Sequence, residues 1–130
     1  MKVVIATDGQ ASSEHTIREA IRLLSLDRSA VHVISVLDPE ERIGGNEDAA
    51  DDLARATALL ASEGITAQAS MLRGHFAEQI VGFAEQISAD VIVVGSSAQR
   101  PLVQWLTGSV SNEVIRRFNG SVLVVTHHRR

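Results

Sequence analysis

The apolar positions of this chain alternate between two periods. Val3 to Ala6, Val31 to Leu37, Thr66 to Leu72, Val91 to Val94 and Val122 to Val125 form short apolar runs that read as five strands. All but the third are rich in Val and Ile, side chains that suit a pleated surface. These runs lack polar alternation, which predicts strands covered on both faces. Between them the period lengthens. Ile17, Ala20, Ile21 and Leu24 recur at i, i+3, i+4, i+7, with Ser12 or Ser13 available as the N-cap. Phe76, Ile80, Phe83, Ala84 and Ile87 repeat the stripe, as do Val110, Val114, Ile115 and Phe118, where Asn119-Gly120 predicts a glycine stop. A further helix over Glu47 to Glu63 carries mostly alanine around Leu53 and Leu60, so it is expected to pack near the surface.

Strictly alternating strands and helices imply right-handed crossovers, hence a parallel sheet with helices on both faces. In such sheets a ligand site lies beyond the carboxyl ends of the strands, where the strand order reverses. If the first and fourth strands are neighbours there, Asp8 and Gly95 face each other across one crevice.

The stretch around that position carries the chemistry. Val91-Ile92-Val93-Val94 empties into Gly95-Ser96-Ser97-Ala98, and a second glycine, Gly108-Ser109, opens a helix. Glycine lets a backbone approach a ligand closely, and the free N–H groups of a first helical turn favour an anion such as phosphate.

Length and composition bound what surrounds it. At 130 residues, 45% hydrophobic and 22% charged, the chain is expected to be one globular domain, residues 1–130. Its apolar start is too short for a signal segment and no run is long enough to span a membrane, so a cytoplasmic location is expected. The absence of cysteine excludes disulfides and thiolate metal sites. A net charge of -4, with three Phe and one Trp, argues against nucleic acid and anionic membranes as partners.

The beginning, Val4-Ile5-Ala6-Thr7-Asp8-Gly9, and the end, from Val93-Val94-Gly95-Ser96-Ser97 through Thr107-Gly108-Ser109-Val110-Ser111 to Gly120-Ser121-Val122-Leu123-Val124-Val125, resemble the universal stress protein family over essentially the whole chain. The resemblance implies a Rossmann-like three-layer α/β/α sandwich with a five-stranded parallel sheet of order 3-2-1-4-5. It also implies a homodimer through the Val122–Val125 edge strand. ATP-binding members carry G-x2-G-x9-G-[S/T]; here the same spacing reads Gly95-x2-Ala98-x9-Gly108-Ser109, with alanine at the second glycine. By the resemblance, Asp8 contacts the adenosine portion of ATP and Val36 sits beside the adenine. Gly95, Gly108, Ser109 and Val110 line the ribose and phosphates, and Ala6, Thr7, Val94, Ser97, Ala98 and Ser111 complete the candidate set. Mg2+ would accompany the nucleotide.

The departures from the pattern leave two functions open. If residue 98 needs positive φ, alanine costs on the order of 1 kcal/mol, which weakens binding about fivefold without abolishing it. Pro101 removes an N–H, while Arg100 either reaches the phosphates or fills the crevice. One reading is an adenine-nucleotide-binding sensor or switch whose loop over 96–107 orders around ATP. The other is a dimeric stress-response interaction protein with an altered loop. Trp105, in that loop, covers a ligand or a partner surface or packs internally.

Catalytic constellations are lacking. His15, His32, His75, His127 and His128 show no metal-ligand spacing, and no nucleophile elbow, Walker lysine or zinc-protease sequence occurs. His15 either faces solvent or finds a charge near Asp8. Asp51-Asp52 and Glu40-Glu41 read as solvated charge, and Gly44-Gly45 as a surface connection or a lid. With no residue placed as a general base, slow ATP hydrolysis is the most that this sequence supports.

Overall fold

The protein was analysed as a computed structural model, which describes residues 1–7, 12–37, 39, 46–97 and 109–127. Strands and helices alternate as β1 (Lys2–Thr7), α1 (Ser12–Leu23), β2 (Ala30–Leu37), α2 (Asn46–Ser62), β3 (Ala67–Arg73), α3 (Phe76–Gln86), β4 (Val91–Ser97), α4 (Ser109–Arg117) and β5 (Ser121–His127). The strands form one five-stranded sheet of order β3-β2-β1-β4-β5, and every recorded pair is parallel. The alternation of periods predicts the parallel sheet, and its strand order is the one that the family resemblance implies.

Side chains of β1 point alternately to the two faces, as strand geometry requires, and each face has its own core. Val3 and Ile5 pack with Ile17 and Ala20 of α1 and with Leu53, Ala56 and Leu60 of α2. Val4 and Ala6 pack with Ile80, Val81 and Ala84 of α3 and with Val110 and Val114 of α4. The central strands are covered on both sides, which is why their apolar runs are unbroken. The edges differ: β3 exposes Gln68, Ala69, Met71 and Arg73, and Val122, Leu123 and Val124 of β5 are only half-buried. A strand with one neighbour loses the flanking helices that cover a central strand, so two-sided burial holds for β1, β4 and most of β2 only.

Four local expectations change. The helix over residues 46–62 is a core element, since Ala49, Leu53, Ala56 and Leu60 form a buried stripe at i, i+4, i+7, i+11 and Leu60 is wholly inaccessible. Alanine here marks close packing against the sheet. β4 does not end at Val94 but continues through Gly95 and Ser96 to Ser97, because β5 pairs with it throughout, from Val91↔Ser121 to Ser97↔His127. α1 begins at Ser12, so Ser12 and Ser13 lie inside the helix and its capping position falls outside the described residues. α4 does stop before Asn119-Gly120, but Gly120 is not in the left-handed region; a Cβ there would meet the Phe118 ring at 2.5 Å and the Asp90 carbonyl at 3.0 Å. Glycine at 120 serves close approach.

The amino ends of the central strands are tied together by one residue. Asp90 Oδ2 accepts a hydrogen bond from the Lys2 amide (2.8 Å), and the Asp90 carbonyl accepts one from the Ser121 amide (3.1 Å). The Asp90 amide in turn donates to the Lys2 carbonyl (2.8 Å).

Candidate functional site

The opposite end of the sheet is where the strand order reverses, between β1 and β4. Connections leaving these strands run to opposite faces, so a crevice forms beyond their carboxyl ends. The register shows the parting. β1 stays paired to β2 up to Thr7↔Ser35 and β4 to β5 up to Ser97↔His127, whereas among the described residues the β1–β4 ladder ends at Ile5↔Val93. Ala6 and Thr7 on one side, and Val94 and Gly95 on the other, border the place where the two halves of the sheet separate.

Two helices reach this parting from opposite faces and meet at Gly95. From α1 comes Thr16, 4% exposed; a Cβ on Gly95 would lie 2.6 Å from its Oγ1, a separation that real Cβ atoms do not tolerate. From α4 comes Ser111, equally buried, whose hydroxyl donates to the Gly95 carbonyl across 3.4 Å. The glycine is therefore required by the approach of α1, a role that spacing along the chain did not reveal. The Ser111 bond holds the first turn of α4 against the end of β4. That turn contains no acidic residue, while Arg116 and Arg117 occupy the last turn. Its first-turn N–H groups lack acceptors within the helix, and the turn itself holds no carboxylate to offset the positive end of the dipole. The arrangement suits a small anion.

The candidate residues fall into four groups. Ala6, Val36, Val94 and Val110 are all at most 6% exposed and belong to the cluster on the α3 and α4 side, so their side chains are committed to that core. Thr7 Oγ1 donates to the Ile34 carbonyl (3.2 Å), which commits that hydroxyl to the sheet. Gly95 and Ser111 meet as described, with Ser97 closing β4 and Ser109 opening α4. Asp8, Ala98 and Gly108 lie outside the described residues, as do Arg100, Pro101, Trp105 and Gly44-Gly45.

Charges elsewhere are mostly paired along helices. Glu19 is held below the usual carboxylate range chiefly by the hydrogen bond from Arg22, and His15 one turn earlier contributes in the same direction. Glu113 is held down chiefly by the hydrogen bond from Arg117, with the charge of Arg116 adding to it.

Two residues with consequences were missed in the sequence. Thr16 precedes Ala20 by one turn, which places it on the buried stripe of α1. Asp52 is 4% exposed rather than solvated, with an Arg55 guanidinium nitrogen 3.9 Å from Oδ1. Its spacing to Ala56, i and i+4, was the available signal: adjacent Asp51 lies about 100° round the helix and is exposed.

Comparison with known proteins agrees with this fold. The model of the universal stress protein family matches residues 1–126. A universal stress protein of Methanocaldococcus jannaschii is 31% identical over 137 aligned positions, covering 95% of this chain and 81% of that protein. Among solved structures, the universal stress protein from Archaeoglobus fulgidus in complex with dAMP superposes with a TM-score of 0.73 at 27% identity, covering 96% of this chain and 97% of that one. A universal stress protein in complex with cAMP gives 0.76 at 25% identity, over 96% and 95% of the two chains. A family match over nearly every residue, on a sheet of this order, means that the chain belongs to the universal stress protein family.

Proposed function

We propose that this protein is an adenine-nucleotide-binding module of the family, a cytoplasmic stress-response sensor or switch that takes ATP with its accompanying Mg2+ at the parting of β1 and β4. The observation that carries the reading is the convergence at Gly95: the sheet opens there, and the acid-free first turn of α4 is fixed to the strand end by Ser111. Solved relatives in complex with dAMP and cAMP support the ligand class. Ser109, Val110 and Ser111 would present backbone N–H groups and hydroxyls to the phosphates. Asp8 would hold the adenosine portion, Val36 would flank the adenine, and Gly95, Ala98 and Gly108 would let the backbone come close. The nucleotide would supply the phosphate charge to which the 96–107 segment responds.

The same reading includes a homodimer. β5 is an edge strand, and Val122, Leu123 and Val124 are half-buried. An edge of this kind presents unpaired backbone groups that a second copy can cover symmetrically.

The test is calorimetric titration of nucleotide-free protein with ATP and Mg2+, with sedimentation to give the assembly state. Saturable binding that is lost in Asp8→Ala is expected. A folded dimer that takes up no ATP at millimolar concentration would overturn the reading and favour a dimeric interaction protein, the alternative to which Ala98, Arg100 and Pro101 point.

A further inference from the structure

The connection from α4 to β5 holds a reactive pair. Only Phe118, Asn119 and Gly120 join Arg117 to Ser121, and Asn119 and Gly120 are exposed. Asn119 is the one asparagine of the chain that precedes a glycine; Asn46 and Asn112 each precede a glutamate. Among the described residues, neither the Asn119 side chain nor the Gly120 N–H has a hydrogen-bond partner. Packing forbids a larger residue at 120, where a Cβ would meet the Phe118 ring at 2.5 Å and the Asp90 carbonyl at 3.0 Å. The fold therefore keeps an unhindered peptide nitrogen beside an unbonded side-chain amide.

We propose that Asn119-Gly120 is a site of spontaneous deamidation that loosens the start of β5. The Gly120 nitrogen and Asn119 Cγ are kept close by the chain itself, so ring closure is intramolecular, and residue 120 has no side chain to obstruct it. Gly120 N gives up its proton to solvent and bonds to Asn119 Cγ, while the side-chain nitrogen takes a proton and leaves as ammonia. Water then opens the five-membered imide. Cleavage of the ring nitrogen from Cγ gives aspartate; cleavage from the main-chain carbonyl carbon gives isoaspartate, whose backbone runs through the side chain and is longer by a methylene. One water is consumed, one ammonia is released, and nothing is oxidised or reduced. The longer link displaces Gly120 from its seat against Phe118 and Asp90. With it moves the Ser121 amide, which donates to the Asp90 carbonyl (3.1 Å) at Val91↔Ser121, the first pair of the β4–β5 ladder.

Neither residue belongs to the nucleotide site, so this inference stands or falls independently of ATP binding. The test is incubation of the purified, folded protein at physiological temperature, followed by tryptic digestion and mass spectrometry of the peptide that begins at Phe118. Conversion at Asn119 is expected to be at least about tenfold faster than at Asn46 or Asn112 and faster at alkaline than at mildly acid pH, with isoaspartate identified by an isoaspartyl methyltransferase. Asn119→Gln, which would have to close a larger ring, should stay unmodified. Asn119→Asp supplies the new charge without the added methylene. The isoaspartate-containing fraction, separated by anion exchange, should therefore exchange the amide hydrogens of residues 121–123 faster than Asn119→Asp does. Conversion confined to the urea-unfolded chain, equal conversion at Asn46 or Asn112, or an isoaspartate fraction whose exchange over 121–123 matches that of Asn119→Asp would each overturn the proposal.

Discussion

Replacing Gly95 by alanine tests the close approach of α1 to β4 directly. An added Cβ would lie 2.6 Å from Thr16 Oγ1, with the next atoms of Thr16 at 3.8 and 4.0 Å. The clash therefore falls on one hydroxyl. Thr16 is buried and β-branched, so in a helix its χ1 has only two favoured wells and the hydroxyl has one alternative position at most. Overpacking of this kind costs about 1–3 kcal/mol. In a Thr16→Ala background the clashing hydroxyl is gone. The backbone at Gly95 is outside the left-handed region, so alanine there should be neutral or stabilising by roughly 0.4–1 kcal/mol through the unfolded chain. Gly95→Ala, Thr16→Ala and the double variant, followed by circular dichroism in urea, should show a coupling of about 1.5–3 kcal/mol with unchanged m-values. Additivity within about 0.5 kcal/mol would refute the steric account. The double variant also bears on the proposed function: with packing restored, a loss of the proposed ATP binding would measure what the glycine gives the nucleotide.

Two further predictions concern α3 and α4. Ser88 follows α3 with φ of 58°, its amide donates to the Glu85 carbonyl and the Ala89 amide to that of Ala84, the bond pair of a Schellman cap in which glycine is usual. Ser88→Gly removes a left-handed cost of roughly 1–2 kcal/mol against about 0.5–1 kcal/mol of added chain entropy, so a net gain of about 0.5–1 kcal/mol is expected in urea unfolding and a lowered midpoint would be the contrary result. Glu113, whose carboxyl is depressed chiefly by Arg117, contributes stability that is present above its unfolded value and is lost as pH falls through the folded one. Wild type and Glu113→Gln should therefore differ near neutrality and converge in acid; a difference that persists at pH 2 would exclude the ion pairs as its source.

The periodicities carried the fold because each element buries a face that its own sequence specifies. Val3 with Ile5 and Val4 with Ala6 define two cores, and the stripes of α1, α3 and α4 locate their partners. What was not legible came from geometry between elements. Asp51 and Asp52 look identical in the chain, yet one helical step separates solvent from the interior. Gly95 stood out as a glycine after an apolar run, but only the crossing of α1 shows that Thr16 demands it. Ser88 gave no signal, since serine is a poor left-handed residue and only the bond pattern shows the cap. At the candidate site, backbone groups and buried walls dominate, and such contributions leave little trace in residue type.

The place of β1 in the sheet bears on how the chain can be made. The first strand of the fold lies in the middle, paired on one side with residues 30–35 but on the other with residues 91–93. Until the fourth strand leaves the ribosome, Val3, Val4 and Ile5 have an open apolar edge that no local element covers. Closing it requires a contact between residues 3–5 and residues 91–93, the long-range kind that slows folding and favours pairing with the wrong strand meanwhile. The Asp90 bonds to Lys2 and Ser121 are thus a late fastening, and truncation ahead of residue 91 would leave an aggregation-prone half-sheet.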